Sequence, residues 1–359
     1  MFWYVWVGVL LTRGAPTCGS TARPFLLPQR LFLSRTTPSF LRAAEAAPKP
    51  GTVARRKHAR PGRGCREIGV PPRRVEWERS QSVPKLRKKG PREGRLKIAL
   101  LPIALTIAGS DPSGGAGLQA DLKTFQQFGV YGMSVVTLLT VQNTQRVSSV
   151  DPLVPSYVTA QLEAVTSDMP PAAAKTGALG STGVIEAVAA WARGISFPLV
   201  VDPVMVSKHG APLLQDEARE VLVRLLLPQA SLLTPNLPEA SALAAVEVTD
   251  LPSMEDAARR IADLGPSAVL VKGGHLIEDA VDVLYREGRM EHFTARRIAS
   301  HHTHGTGCTY SAAITAGLAH GQDLSAAVRA AKEYITRAIA TAPGLGHGCG
   351  PVNHASKEP

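Results

Sequence analysis

From about residue 100 onward, short apolar runs alternate with longer segments in which apolar residues recur every three or four positions. The apolar runs are typical of buried strands and read ALTIAG, YGMSVVTLLTV, AAAKTGAL, FPLVVDPVM, ASLLTPN and SAVLVKGG. Helical spacing is found over 116–129, 156–169, 182–194, 237–246, 254–265, 307–320 and 323–341. The stretch VDVLYREGRMEHFT predicts a hairpin that turns at Glu287 and Gly288. This alternation predicts an α/β fold, with a mostly parallel sheet covered by helices on both faces.

The first hundred residues do not share this pattern. Residues 1–104 contain 22 Lys and Arg, five Glu and no Asp, whereas the rest of the chain has a net charge of −6. The stretch PRRVEWERSQSVPKLRKKGPREGRLK is rich in Pro, Arg and Lys and has no apolar period of 2 or 3.6. We therefore expect a basic leader over 1–97, either a disordered tail or sequence translated from upstream of the true start. Residues 98–359 are expected to form one domain.

Two other interpretations of the leader are a targeting segment and a nucleic-acid-binding arm. Its first residues, MFWYVWVGVLL, are too few to span a membrane, and no basic residue precedes them as a secretory signal requires. The basic pI of about 9.7 comes from the leader alone, so the domain itself is not expected to bind nucleic acid. The four cysteines show no metal-ligand spacing, which indicates a reducing, cytoplasmic setting. We expect neither a nucleic-acid nor a membrane partner.

Polar and glycine residues follow several of the predicted strands. In open α/β sheets, ligands bind outside the carboxyl ends of the strands. The residues that the pattern places there are Gly109, Ser110, Asp111, Gln142, Asn143, Asp202, Thr234, Asn236 and Lys272. We expect them to line one cleft.

The stretch HTHGTGCTYSAAITAGLAHG places Gly305, Thr306, Gly307 and Cys308 at the start of a predicted helix. Backbone N–H groups at a helix start lack internal partners, and the helix dipole there favours negative charge. Glycines let such a backbone approach an anion closely, and a thiol at this position would have its thiolate form stabilised. The turn is therefore a candidate anion site with a reactive group. The alternative is an ordinary helix start with a small buried cysteine.

The loop GSDPSGGAGLQAD contains Gly115-x-Gly117-x-x-Ala120, which matches the dinucleotide-binding fingerprint. That fingerprint also needs an acidic residue after the second strand to hold a ribose. The sequence has Gln142 there and no Asp or Glu between residues 121 and 151, which argues against an NAD-dependent oxidoreductase.

Six stretches, in this order, resemble one family: ALTIAGSDPSGGAGLQADLKTF, VQNT, VVDPVM, TPNLPEA, LVKGGH and HGTGCTYSAA. The chain is similar, over about residues 103–354, to the hydroxymethylpyrimidine/phosphomethylpyrimidine kinases of thiamine biosynthesis. The resemblance implies a ribokinase-like three-layer sandwich that transfers the γ-phosphoryl group of ATP. It implies a cytoplasmic homodimer that acts on a small-molecule pyrimidine with ATP and Mg²⁺.

The resemblance also implies roles for the site residues. The turn of Gly305, Thr306, Gly307 and Cys308 would form an anion hole for the transferring phosphoryl group, and Cys308 would accept the proton of a primary alcohol. The pyrimidine pocket would be formed by Gln142, Gly109 and Asp121. The ATP phosphates would be faced by Lys272 and Asn236. Mg²⁺ would be organised by Asp202 and Glu239.

The expected reaction is phosphorylation of 4-amino-5-hydroxymethyl-2-methylpyrimidine and then of its monophosphate. A pyridoxal kinase on the same scaffold is the nearest alternative, and a non-catalytic regulatory protein with a basic nucleic-acid arm is another. One departure concerns the pocket wall, because Ala178 stands where the family often has Met.

Overall fold

The computed structural model of the protein describes residues 101–356, apart from 208–209, 211–212, 215 and 275–278. The leader expected over 1–97 lies outside the described residues, and its interpretation stays a prediction.

Within that range the strands form one sheet in the order β3-β2-β1-β4-β5-β6-β7-β8-β9. Neighbours from β2 to β7 pair in parallel, whereas β3 at one edge and β8 and β9 at the other are antiparallel. The strands are β1 Ile103–Ser110, β2 Tyr131–Gln142, β3 Val147–Pro152, β4 Ala173–Thr176, β5 Leu199–Val201, β6 Leu232–Leu233, β7 Ala268–Val271, β8 Ala280–Arg286 and β9 Arg289–Ala295. The prediction of a mostly parallel sheet is confirmed.

Alternation along the strands divides the core into two layers. Leu105 and Ile107 of β1 pack with α2, α3, α5 and α6 on one face, whereas Ala104 packs with α1 and α7 on the other, and α8 lies on that second face too. The helices are α1 Gly117–Gln127, α2 Pro155–Asp168, α3 Thr182–Ala192, α4 Asp216–Val221, α5 Leu237–Ala244, α6 Leu251–Ala262, α7 Thr306–Ala319 and α8 Leu324–Ala340. Helices on both faces of the sheet confirm the three-layer sandwich.

Two local features differ in how well the sequence predicted them. The hairpin of β8 and β9 turns at Glu287 and Gly288 as predicted, and both residues have the positive φ that a tight hairpin turn requires. The segment 216–229 carried no prediction, since its run VLVRLLL has no clear period. It forms α4, then a π-helical turn Leu222–Leu226 and a 3₁₀ turn Leu227–Gln229.

In the described part of the chain, no helix combines the length and the apolar character that crossing a membrane requires.

Candidate active site

A cavity of about 1300 Å³ lies at the carboxyl ends of the parallel strands. It is lined by almost every residue that the sequence analysis assigned to the site: Gly109, Gln142, Asp202, Asn236, Glu239, Lys272, Gly305, Thr306, Gly307 and Cys308. The strand ends bring these residues together although they span two hundred positions of sequence, because parallel strands end at one edge of the sheet. The cavity has room for a nucleotide beside a small ring.

The turn before α7 has a backbone that only glycine fits. Gly305 is the N-cap of α7 and has a φ of 78°, and a side chain there would overlap the carbonyl oxygen of Gly115. The Thr306 hydroxyl donates to the carbonyl of Thr303 at 2.7 Å and so fixes the entry to the helix. The first residues of α7 line the cavity, and the backbone N–H groups of a first helical turn lack intrahelical acceptors. This geometry suits an anion.

Cys308 is half-buried and lines the cavity. Burial raises the pKa of the Cys308 thiol to about 12, although the Lys175 ammonium and the backbone N–H of Gly117 lower it. The negative carboxylates of Asp121 and Asp202 raise it further. The sequence analysis expected the helix start to favour the thiolate, and the burial of the thiol opposes that effect.

The carboxylate of Asp202, directly after β5, lines the cavity and accepts hydrogen bonds from three side chains. It accepts from Lys272 Nζ at 2.8 Å, from Thr234 Oγ1 at 3.2 Å and from Ser311 Oγ at 3.3 Å. A Cβ at Gly307 would lie 3.4 Å from Lys272 Nζ and 3.7 Å from the Asp202 carboxylate. The ammonium of Lys272 therefore lies beside the anion-binding turn.

Asn236 and Glu239 are tied together by a capping box at the start of α5. Asn236 Oδ1 accepts from the backbone N–H of Glu239, and Glu239 Oε2 accepts from the backbone N–H of Asn236, both at 2.9 Å. The Asn236 oxygen is thus used by the helix, which leaves its amide NH₂ as a donor for a ligand. Burial raises the pKa of Glu239 to about 7, with Asp202 adding to the effect and Lys272 opposing it.

These carboxylates fit a Mg²⁺ ion that travels with a nucleotide. Among the described residues, no group of three or more His, Cys, Asp or Glu comes together to hold a metal without other ligands. Mg²⁺ is usually bound by one or two carboxylates together with waters and substrate phosphates, which is the donor set that Asp202 and Glu239 offer. A cation there would also favour the ionised form of Glu239.

Asp111 has a structural role that the sequence did not reveal beyond its place at a strand end. Its carboxylate accepts from His304 Nε2 at 2.9 Å, from Ala116 N–H at 2.8 Å and from Ser113 N–H at 2.8 Å. Burial alone would raise the pKa of Asp111, but hydrogen bonds from His304, Ser113 and Gln142 lower it well below its usual range. Asp111 therefore links the glycine loop after β1 to the turn before α7.

The structure does not place Asp121 in the cavity wall, where the resemblance implied it. Asp121 is fully buried on α1, where Oδ2 accepts from Lys175 Nζ at 2.8 Å and from Thr106 Oγ1 at 2.6 Å. A buried carboxylate needs hydrogen-bond donors. For Asp121 these are Lys175 and Thr106, and neither of them lines the cavity. Lys175 is the partner that the sequence analysis missed, since a lysine inside an apolar strand has no pattern of its own.

Residues 111–353 match the phosphomethylpyrimidine kinase family model. The hydroxymethylpyrimidine/phosphomethylpyrimidine kinase of Haemophilus influenzae is 47% identical over 258 residues, which cover 70% of this chain and 95% of that protein. The bifunctional thiamine biosynthesis protein ThiED of Geobacter sulfurreducens is 50% identical over 255 residues. The aligned residues cover 70% of this chain but 51% of ThiED, so this chain spans about half the length of ThiED.

Solved structures of a phosphomethylpyrimidine kinase and of a pyridoxal kinase are both similar to this chain. The phosphomethylpyrimidine kinase of Clostridium difficile aligns with a TM-score of 0.60 at 44% identity, covering 66% of this chain and 99% of that one. The ADP complex of Bacillus subtilis pyridoxal kinase aligns with a TM-score of 0.66 at 40% identity, covering 71% of this chain and 98% of that one.

Proposed function

The chain belongs to the phosphomethylpyrimidine kinase family, and we propose that its substrates are 4-amino-5-hydroxymethyl-2-methylpyrimidine and the corresponding monophosphate. The protein is a kinase of thiamine biosynthesis that transfers the γ-phosphoryl group of ATP. The observation that carries the proposed site is the meeting of three parts in one cavity. These are the turn Gly305–Cys308, the Lys272–Asp202 pair and the side chain of Gln142.

The phosphate side of the site is formed by the turn before α7 and by Lys272. The amides of Gly307 and Cys308, with the helix dipole behind them, stabilise the charge that develops on the transferring phosphoryl group. Lys272 and the amide NH₂ of Asn236 bind the ATP phosphates. Mg²⁺, which Asp202 and Glu239 would hold, supplies further neutralisation of that charge.

The pyrimidine side of the site is Gln142 at the end of β2 and Gly109 at the end of β1. The amide of Gln142 can accept from an exocyclic amine and donate to a ring nitrogen at the same time. A Cβ at Gly109 would lie 2.5 Å from the Leu138 side chain, so only glycine fits against this residue, and both residues line the cavity. We assign the aminopyrimidine edge to Gln142 on these grounds.

The two phosphorylations place different demands on Cys308. The first begins from an alcohol, whose proton must leave as the new bond to phosphorus forms, and Cys308 is the proposed acceptor. The second begins from a phosphate oxygen that is already ionised, so it needs no base. Only the thiolate form of Cys308 can accept that proton, and burial raises the pKa of the thiol, so we propose that the reacting form is a thiolate held by the Lys175 ammonium and the N–H of Gly117.

A coupled assay of ADP release tests the proposed substrates. The alcohol, its monophosphate and pyridoxal are compared at equal concentrations with Mg²⁺ and ATP. We expect the alcohol and the monophosphate to be phosphorylated with higher kcat/KM than pyridoxal. Turnover of neither pyrimidine would refute the proposal.

Pyridoxal kinase is the second candidate, and one observation favours it. Ala178 lines the cavity where the family often carries Met, so this wall leaves space for a differently substituted ring. Pyridoxal presents a phenolic oxygen where the pyrimidine presents an amine, and the same assay separates the two. A preference for pyridoxal would establish this alternative.

The expected homodimer and cytoplasmic location stay proposals. Leu139 and Val141 lie on one face of β2 and expose 49% and 60% of their surface, which is the kind of apolar face that a second copy would cover. Sedimentation of the wild-type protein and of a Leu139→Asp, Val141→Asp variant tests this assignment. A wild-type monomer would refute it.

A further inference from the structure

Lys175 and Asp121 form a buried ion pair that contacts neither proposed ligand. Both side chains are 0% exposed, and Lys175 Nζ lies 2.8 Å from Asp121 Oδ2. Thr106 Oγ1 donates to the same carboxylate oxygen, while Asp121 Oδ1 is buried and has no hydrogen-bond partner among the described residues. Removing two charges from water is costly, and apolar residues of similar size often serve stability as well or better. The pair therefore calls for a role other than stability.

The sheet register places Lys175 near the carboxyl end of β4, beside Thr106 in the middle of β1. Ala104 pairs with Ala173, and two residues further along Thr106 pairs with Lys175, so all four side chains lie on one face of the sheet. On this face Ala312 of α7 packs in one cluster with Ala104 and Ala173. Helix α7 therefore crosses β1 and β4 directly.

Cys308 lies one helical turn before Ala312 and so on the same side of α7. Helix α7 begins in the cavity at the carboxyl ends of the strands, so it runs in the direction opposite to β1 and β4. One turn back along α7 therefore corresponds to about two residues forward along these strands. That step places Cys308 over the level of Thr106 and Lys175. Helix α1 gives the same result, because Asp121 lies one turn after Gly117, whose N–H donates to Cys308.

We propose that Lys175 is a positioning residue whose ammonium, held in place by Asp121 and Thr106, balances the negative charge that develops at Cys308 and the anion-binding turn. The ammonium acts through the layer beneath the active site and touches no substrate. Asp121 fixes the rotamer of Lys175 and keeps it protonated in the apolar interior. The proposal gives Asp121, which the family resemblance had assigned to the pyrimidine pocket, a role in holding Lys175.

The effects of the charged groups around Cys308 agree with the proposed role of Lys175. Burial has the largest effect on the pKa of the Cys308 thiol and raises it, and Lys175 is the charged group with the largest opposing effect. The carboxylates of Asp121 and Asp202 raise this pKa, each by less than Lys175 lowers it. Lys272, paired with Asp202, is the other ammonium that interacts with Cys308. Loss of Lys175 should therefore make the thiol a weaker acid.

The inference rests on the proposed role of Cys308, but it can be tested without any substrate. Alkylation of Cys308 by iodoacetamide is followed by peptide mass spectrometry from pH 7 to pH 10, with Cys349 as the internal reference. We expect Lys175→Met to slow alkylation of Cys308 about tenfold at each pH, the effect of a one-unit rise in the pKa of the thiol. Lys175→Arg retains the charge and should recover most of the rate.

The double variant Lys175→Met, Asp121→Asn separates charge from stability. It removes both members of the pair, so it should fold better than Lys175→Met, which leaves a buried carboxylate without its partner. Alkylation of Cys308 should be slower in it than in wild type but faster than in Lys175→Met, because Asp121 raises the pKa of the thiol and Lys175 lowers it. Lys332→Met is the matched control, because Lys332 also makes a buried pair, with Asp282 at 2.7 Å, and should leave alkylation of Cys308 unchanged.

Kinase activity gives the second measurement. In the double variant, kcat for the alcohol should fall about tenfold, while the KM values for pyrimidine and ATP change less than twofold. Wild-type rates of both alkylation and phosphorylation in the double variant would overturn the inference and leave the pair a purely structural one. Alkylation of Cys308 could slow as expected while neither the wild type nor any variant phosphorylates the pyrimidine. That result would refute the proposed function but would support the effect of Lys175 on Cys308.

Discussion

Cys308→Ser is the substitution that examines the proposed chemistry most directly. Serine keeps the backbone N–H groups of the turn and the start of α7, and its side chain is no larger than that of cysteine. The change therefore removes an acidic and polarisable proton acceptor and leaves the anion hole in place. Its effect should depend on which of the two phosphorylations is measured.

The size and the pH dependence of the effect follow from the role of the thiolate. Burial raises the pKa of the Cys308 thiol to about 12, so its thiolate is the minor form near neutral pH. If the thiolate accepts the proton, phosphorylation of the alcohol should accelerate about tenfold per pH unit below that pKa. If another group accepts the proton, the rate should depend on pH much less. Loss of a general base typically slows a step by about 10²- to 10⁴-fold, which is the range that we expect for the alcohol.

Single-turnover rates with excess enzyme measure each step separately, one on the alcohol and one on the monophosphate. We expect Cys308→Ser to slow phosphorylation of the alcohol by about 10²-fold or more and that of the monophosphate by less than about tenfold. An equal loss in both steps would show that Cys308 is part of the anion hole and not the base. No loss in either step would refute the reasoning altogether.

Four further predictions follow from the site and its surroundings. Gln142→Leu should raise the KM for the pyrimidine about 5- to 150-fold, from an unpaired-group cost of about 1–3 kcal/mol, and should leave the KM for ATP nearly unchanged in steady-state assays. Gly305→Ala should reduce kcat for both substrates by more than about 10²-fold, because a methyl group would displace the anion-binding turn. Gly129→Ala is its control, since Gly129 also has a positive φ but nothing within 4 Å of an added Cβ, and it should remain active. Burial raises the pKa of Glu239 from about 4.5 to about 7, so the folded protein holds this proton more tightly than the unfolded chain. The free energy of unfolding therefore includes a contribution from the protonated carboxyl, which is lost as the pH rises through 7. Urea unfolding without Mg²⁺ should therefore show that wild type loses about 3 kcal/mol relative to Glu239→Gln between pH 4.5 and pH 8, and parallel pH curves would contradict this. A chain that lacks residues 1–97 should keep its kcat, because the cavity is lined by residues from 109 onward, and loss of activity on this truncation would show that the leader contributes.

Most of the fold could be predicted because its periodicities are local. The apolar runs of the parallel strands and the three-to-four spacing of helices such as α8 are set by which face each residue buries. Edge strand β3 and the segment 216–229 were missed for the opposite reason. No residue of β3, VSSVDP, is buried, and the run VLVRLLL is apolar except for Arg224, so neither segment has a buried face that the sequence alone can distinguish.

The sequence also determined most of the site, since the carboxyl ends of parallel strands must meet at one edge of the sheet. Gln142, Asp202 and Lys272 were placed together on this argument, and the cavity brings them together. The roles of Asp111 and Lys175 could not be found in this way. Each depends on a partner that is distant in sequence, His304 for Asp111 and Asp121 for Lys175.

The direction of the pKa shift of Cys308 and the contacts of Asp121 could be found only from the tertiary structure. A helix start in the sequence indicates a stabilised thiolate, but it cannot show how much water reaches the sulfur, and burial is the larger effect. The family resemblance implied a ligand contact for Asp121, but the side chain of Asp121 pairs instead with the ammonium of Lys175 on a neighbouring strand. Local sequence fixes which groups a segment carries, whereas charge states and ion pairs depend on the sum of contacts from several segments, and that sum exists only in the folded chain.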